Sequence, residues 1–164
     1  VPIIINCARP PLPSVARAIG LGRSVRKALE GVERRVLIVG SGGLSHAPPS
    51  LEIDTRSMSE QRRRDYNLDR IAAAGKRIEP EWDRTFLDAM ERADLDWISG
   101  LDSADVLLGG VGANEVRTWA AASAAIGRPL QTVAYEPVPE WITGMGLAVA
   151  PSGAPAKRTT SVRS

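Results

Sequence analysis

The sequence predicts an α/β fold, a central and mostly buried sheet flanked by helices. Three observations lead there. Two short apolar runs rich in β-branched residues, 2–6 and 35–39, have the stiffness and two-sided hydrophobicity of buried strands. A segment of helical periodicity separates them, giving a strand, helix, strand order. Glycine-rich turns directly follow two apolar segments, at Gly40-Ser41-Gly42-Gly43 and at Gly109-Gly110-Val111-Gly112.

The elements follow in order. After the first strand, residues 8–13 hold three prolines and read as a turn with few backbone donors. Ser14 is placed to cap a helix over 14–30, in which Val15, Ala18, Ile19, Val25 and Leu29 recur at helical spacing up to Gly31. The run Val36-Leu37-Ile38-Val39 is the second strand, and residues 47–53, with two prolines, read as loop. Helices are expected over 60–75 and 80–93. In the second, Trp82, Phe86, Leu87 and Met90 form an apolar stripe facing the core. Residues 104–108 are a short apolar segment. Asn114 is expected to cap a helix running to Ile126, which Gly127 stops. Residues 129–135 and 144–150 read as strands around a proline-containing turn, and 151–164 as a mobile polar tail.

Composition bounds the function. The 164 residues are enough for one compact domain, and 43% hydrophobic with 24% charged residues is an ordinary globular balance. No apolar run reaches the roughly 18 residues of a membrane span, and Val1 to Ile5 lacks a basic leader, so no membrane partner and a cytoplasmic location are expected. Net charge is only +2; the densest basic cluster, Arg62 to Arg64, has no aromatic platform beside it and reads as a solvated helix face rather than a nucleic-acid contact. Cys7 is the single cysteine, which excludes an internal disulfide and a cysteine-based zinc site. His46 is the single histidine.

His46 is also where the sequence is most informative. It lies three residues beyond Gly43, just past the end of an expected strand, the place where open α/β sheets bind ligands. Imidazole exchanges protons near neutral pH. A phosphate cradle is the competing reading of the glycines, but Pro48 and Pro49 follow instead of an immediate helix, and neither a G-x-G-x-x-G nor a Walker lysine is present. A structural histidine in a turn is equally compatible with the residues alone. Glu115 falls in the first turn of the expected helix after the second glycine loop. There it either complements the helix dipole or is a carboxylate held rigidly toward a cation. Ser41 and Ser45 lack the framing of a nucleophile elbow. Asp102 and Asp105 read as a surface turn, Glu136 and Glu140 as solvated residues around a proline turn, and Trp141 as core or interface.

At residues 40–49 and 112–121 the chain resembles the carboxyl-terminal half of the class III extradiol dioxygenases, the protocatechuate 4,5-dioxygenase catalytic-subunit superfamily. The Gly-Ser-Gly-Gly-Leu-Ser-His run is the most specific part, and Pro11-Leu12-Pro13 and residues 135–142 also match, so that the likeness covers most of the chain to about Ala148. The resemblance implies meta cleavage of a catechol such as 2,3-dihydroxyphenylpropionate or 2,3-dihydroxycinnamate by O2, with Fe(II) held by two histidines and one glutamate. Glu115 matches the glutamate ligand. His46 matches a histidine that moves protons and does not bind iron. Residues 1–150 then correspond to the carboxyl-terminal part of the catalytic domain.

The departure from the family is as informative. Its two iron-binding histidines lie in an amino-terminal half, and the only histidine here is His46. The chain also starts at Val1 rather than at a methionine. The expectation is a truncated product or one half of a split protein, inactive alone, completed by an amino-terminal half or by assembly as a homo-oligomer. Two rivals remain: a catalytically silent subunit or interaction module that kept the fold, and a phosphate-binding module built on the Gly40 loop.

Overall fold

A computed structural model describes residues 1–151; the remainder of the tail expected at 151–164 lies outside the described residues. Seven α-helices, two short 3-10 turns and one two-stranded sheet are found among them. Helix α1 (Val15–Ala28) starts where Ser14 Oγ accepts from the Arg17 N–H at 3.2 Å and ends with Arg26 and Lys27 against the negative pole of the helix. Its buried face, Val15, Ala18, Ile19 and Gly22, lies on α7 (Val116–Ile126). The two approach so closely that a Cβ on Gly22 would stand 2.1 Å from the Ala121 carbonyl oxygen. The alanine-rich face of α7 permits this, and Gly127, in the left-handed region with φ 67°, ends the helix.

Between them lie α2 (Pro49–Glu52), α3 (Glu60–Gly75), α4 (Pro80–Glu91), α5 (Leu95–Gly100) and α6 (Ser103–Leu107). Helix α4 carries the largest share of the core: Phe86, Leu87, Ala89 and Met90 are buried, and Trp82 stacks on Phe86 with ring centroids 5.9 Å apart. The Trp82 indole donates to the Asp105 carbonyl at 3.1 Å and so ties α6 to α4. Asp102 and Asp105, expected as a surface turn, form a reciprocal cap at the start of α6. Part of the segment expected as loop at 47–53 is the single turn of α2.

The sheet is an antiparallel hairpin of β1 (Gln131–Val138) and β2 (Thr143–Val149), with Tyr135 opposite Gly146 and an irregularity between Thr132 and Ala134. It packs on α4. This helix-rich architecture is compatible with an α/β fold, but the large central sheet is not formed among the described residues. Residues 2–6 and 35–39, expected as strands, have no assigned secondary structure and no backbone ladder among the described residues. Their outer side chains stand open, Ile4 at 93% and Leu37 at 86% exposure. A run of β-branched residues sets strand propensity; a strand also needs a neighbour. The segment expected as apolar at 104–108 is helical, because Asp102 supplies a cap that nucleates it.

Candidate active site

The two glycine-rich loops meet around His46. The imidazole is 7% exposed, and its main chain is fixed on both sides by the second loop: the His46 N–H donates to the Gly109 carbonyl and the Gly112 N–H to the His46 carbonyl, both at 2.9 Å. A β-bridge to Thr143 adds the start of the hairpin. Glycine is required at this contact. A Cβ on Gly112 would lie 2.2 Å from the ring, and one on Gly43 3.0 Å from it. Gly110, at φ 87°, turns the loop against the His46 carbonyl.

The ring nitrogens are distinguishable. Nδ1 lies 2.8 Å from the Leu44 carbonyl oxygen. A carbonyl only accepts, so Nδ1 carries a proton, and in the neutral imidazole Nε2 is left as an acceptor. Nε2 is 4.0 Å from Glu115 Oε2.

Glu115 sits at the end of a 3-10 turn, Val111–Glu115, that leads into α7. Its Oε2 accepts from the Gly43 N–H at 2.5 Å, linking the first glycine loop to the second. Its side chain is 38% exposed, and Oε1 has no hydrogen-bond partner among the described residues. Helix α7 secures the first loop further: Thr118 Oγ1 donates to the Ser41 carbonyl at 2.7 Å and the Trp119 indole to the Gly42 carbonyl at 2.9 Å. The structure thus brings together the two residues singled out from sequence, His46 and Glu115.

Other expectations are corrected. Asn114 does not cap α7. Its amide donates to the Val111 carbonyl and its oxygen accepts from Arg117 Nη1 at 2.6 Å, because the chain enters the helix through the 3-10 turn. Arg117 is buried and also donates to the Pro13 carbonyl at 2.6 Å. Trp141, expected as core or interface, is 65% exposed and so is not core. Ser45 is buried and bonded to Asp83 through both its N–H and its hydroxyl, at 2.7 Å each.

Asp83 and Tyr135 were not singled out from sequence. Asp83 is fully buried and receives the Tyr135 hydroxyl at 2.7 Å as well as Ser45. Burial raises its carboxyl above the ordinary aspartate value, opposed by the hydrogen bonds from Ser45 and Tyr135. Burial, with the neighbouring carboxylate, holds the Tyr135 phenol protonated far above its usual range. The signal for Asp83 was present: with Phe86, Leu87 and Met90 it occupies the i, i+3, i+4, i+7 positions of one buried face.

For a metal, Glu115 offers an oxygen donor of the kind a ferrous ion accepts. No group of three or more histidine, cysteine, aspartate or glutamate side chains is gathered for an ion among the described residues. The donor set fits in kind and is incomplete in number. No helix among them is long and apolar enough to cross a membrane.

Comparison with known proteins identifies the relatives of the chain. A family model described as the catalytic LigB subunit of aromatic ring-opening dioxygenase matches residues 1–146. Three relatives are named 2,3-dihydroxyphenylpropionate/2,3-dihydroxicinnamic acid 1,2-dioxygenase. That of Rhodococcus jostii is 36% identical over 92% of this chain and 56% of its own length. That of Burkholderia vietnamiensis is 34% identical over 89% and 54%. That of Photorhabdus laumondii is 33% identical over 92% and 56%. The chain therefore spans about half the length of the curated relatives it matches. With the matched model running through both glycine loops and into the second strand of the hairpin beside them, the chain belongs to the family of catalytic LigB subunits of aromatic ring-opening dioxygenases.

Proposed function

We propose that this chain is the carboxyl-terminal part of an Fe(II)-dependent extradiol dioxygenase that opens the ring of 2,3-dihydroxyphenylpropionate or 2,3-dihydroxycinnamate with O2. The observation that carries the reading is the convergence of Glu115 and His46, 4.0 Å apart at the junction of two glycine loops. In this reading Glu115 is one ligand of the iron through its free carboxylate oxygen. The remaining ligands come from the half of the relatives' length that this chain does not cover. A bound ferrous ion would supply the redox link between an electron-rich diol and O2.

The chain's own residues do the rest of the work assigned to them here. His46, with Nδ1–H committed to the Leu44 carbonyl, presents a bare Nε2 able to take a proton from a catechol hydroxyl and return it later. The glycine loops exclude water from one side of the ring by packing directly on it. Residues 1–150 form the catalytic part, and residues 2–6 and 35–39 are strands of a larger central sheet. Their two-sided apolar character supports this, since buried strands read as continuous hydrophobic runs. The incomplete donor set favours one alternative, a catalytically silent subunit that retains the fold.

Complementation separates the two. The chain alone, loaded anaerobically with Fe(II) and given 2,3-dihydroxyphenylpropionate and O2, is expected to form negligible yellow ring-opened product. Co-expression with the amino-terminal half of a relative is expected to restore it, and Glu115→Ala in that complex to abolish iron retention measured by elemental analysis. Full turnover by the chain alone, or normal iron in the variant, overturns the assignment. A stable complex that binds no iron leaves the silent subunit as the answer.

A further inference from the structure

We propose that Asp83 is a positioning residue that acts on His46 through the peptide group joining Leu44 to Ser45. The two faces of that one peptide unit are engaged by the two side chains. Its N–H, on Ser45, donates to Asp83 Oδ1 at 2.7 Å. Its C=O, on Leu44, accepts from His46 Nδ1 at 2.8 Å. A carboxylate on the N–H side draws the amide proton and increases the negative charge on the carbonyl oxygen. Chains of hydrogen bonds polarise one another in this way, by about 10–30% per bond. The polarised carbonyl then holds the proton on Nδ1 and keeps Nε2 bare toward Glu115.

The surroundings commit Asp83 to this task. It is fully buried and forms no ion pair among the described residues. A carboxylate in that position is costly unless its oxygens are satisfied, and here the neighbours are donors. Oδ1 takes the Ser45 N–H, while Oδ2 takes the hydroxyls of Ser45 and Tyr135 at 2.7 Å each. The Ser45 hydroxyl is itself oriented, because its oxygen accepts the Glu79 N–H at 2.9 Å, which directs its proton to Asp83. On β2, Gly144 makes room, since a Cβ there would stand 2.0 Å from Asp83 Oδ2. The same glycine pins the peptides around the relay, accepting from the Leu44 N–H at 3.1 Å and donating to the Ser45 carbonyl at 2.9 Å.

The relay deepens the reading of His46 as a proton-transfer group and rests on it for its catalytic meaning, but its test needs no turnover. His46 is the only histidine, so the 15N-labelled chain gives one imidazole spin system. In the neutral imidazole of the unsubstituted chain, long-range 1H–15N correlation is expected to show Nδ1 protonated and Nε2 bare. Asp83→Asn retains an oxygen for the Ser45 N–H and removes the charge. Nδ1 is expected to stay protonated with its proton signal moved upfield. Asp83→Ala, with far-UV circular dichroism confirming the fold, is expected to lose the single tautomer to a mixture. If that variant does not fold, Asp83→Asn decides alone. A protonated Nε2 in the unsubstituted chain, or imidazole signals identical in Asp83→Asn, overturns the relay. A changed tautomer with unchanged rate in the complemented enzyme would instead retain the relay and defeat the catalytic reading of His46.

Discussion

His46 Nε2 and Glu115 Oε2 stand 4.0 Å apart, yet the imidazole is almost wholly enclosed and the carboxylate is more than one-third open. The pair therefore divides into a group whose orientation is imposed by its packing and a group with an oxygen left over for something else. That division is the basis of two different expected phenotypes, one in rate and one in metal content.

Replacing His46 with alanine in the complemented enzyme should preserve iron and depress the rate by about 10²–10⁴, the usual worth of a positioned acid or base. Steady-state kinetics alongside metal analysis reads both quantities. Unchanged kinetics would remove His46 from the chemistry.

Gly112→Ala would put a methyl group 2.2 Å from the imidazole. Overpacking of this kind costs about 1–3 kcal/mol, measurable by urea denaturation, and should displace the histidine signals. Gly20→Ala is the contrasting substitution. It lies within α1 with nothing within 4 Å of the added Cβ, and should stabilise by roughly 0.5–1 kcal/mol. Equal effects from the two would discredit the close approach at Gly112.

Phe86 is fully buried beneath the Trp82 stack. Phe86→Ala should destabilise by about 3–5 kcal/mol, read as a lowered urea midpoint at unchanged slope. A loss under 1 kcal/mol would mean that the α4 face is not the core.

Asp83 gives the stability a definite slope with pH. Its carboxyl is raised by burial, so the folded chain holds that proton more tightly than the unfolded chain. Stability contributed by the protonated form is therefore complete below the ordinary aspartate value of 3.8 and declines as pH rises through the raised value. Asp83→Asn should flatten this part of the profile, seen in melting temperatures taken from pH 4 upward. Parallel profiles for the two proteins would contradict the burial shift.

Much of this was legible in the sequence. The helix over 60–75 has the expected bounds, and both hairpin strands lie within two to three residues of those expected, because period and proline spacing are local signals. His46 and Glu115 were singled out by the glycine loops beside them together with the family resemblance, and the structure sets them 4.0 Å apart. What escaped is non-local. Asp83 was not singled out, because its partner Ser45 is 38 residues away in sequence. Asn114 carried a strong capping preference, but the buried guanidinium of Arg117 claimed its oxygen. At 2–6 and 35–39 strand propensity was legible, but no strand forms among the described residues, because propensity is silent about the neighbour a strand needs.

Those two segments have a consequence for handling the molecule. Val36-Leu37-Ile38-Val39 is uncharged, free of proline and high in β-propensity, and most of it faces solvent. Such a stretch is a template for identical stretches on other molecules. Solubility should fall steeply with concentration, light scattering should rise before any loss of helix signal, and a charged residue substituted for Leu37 should delay fibrillar stacking.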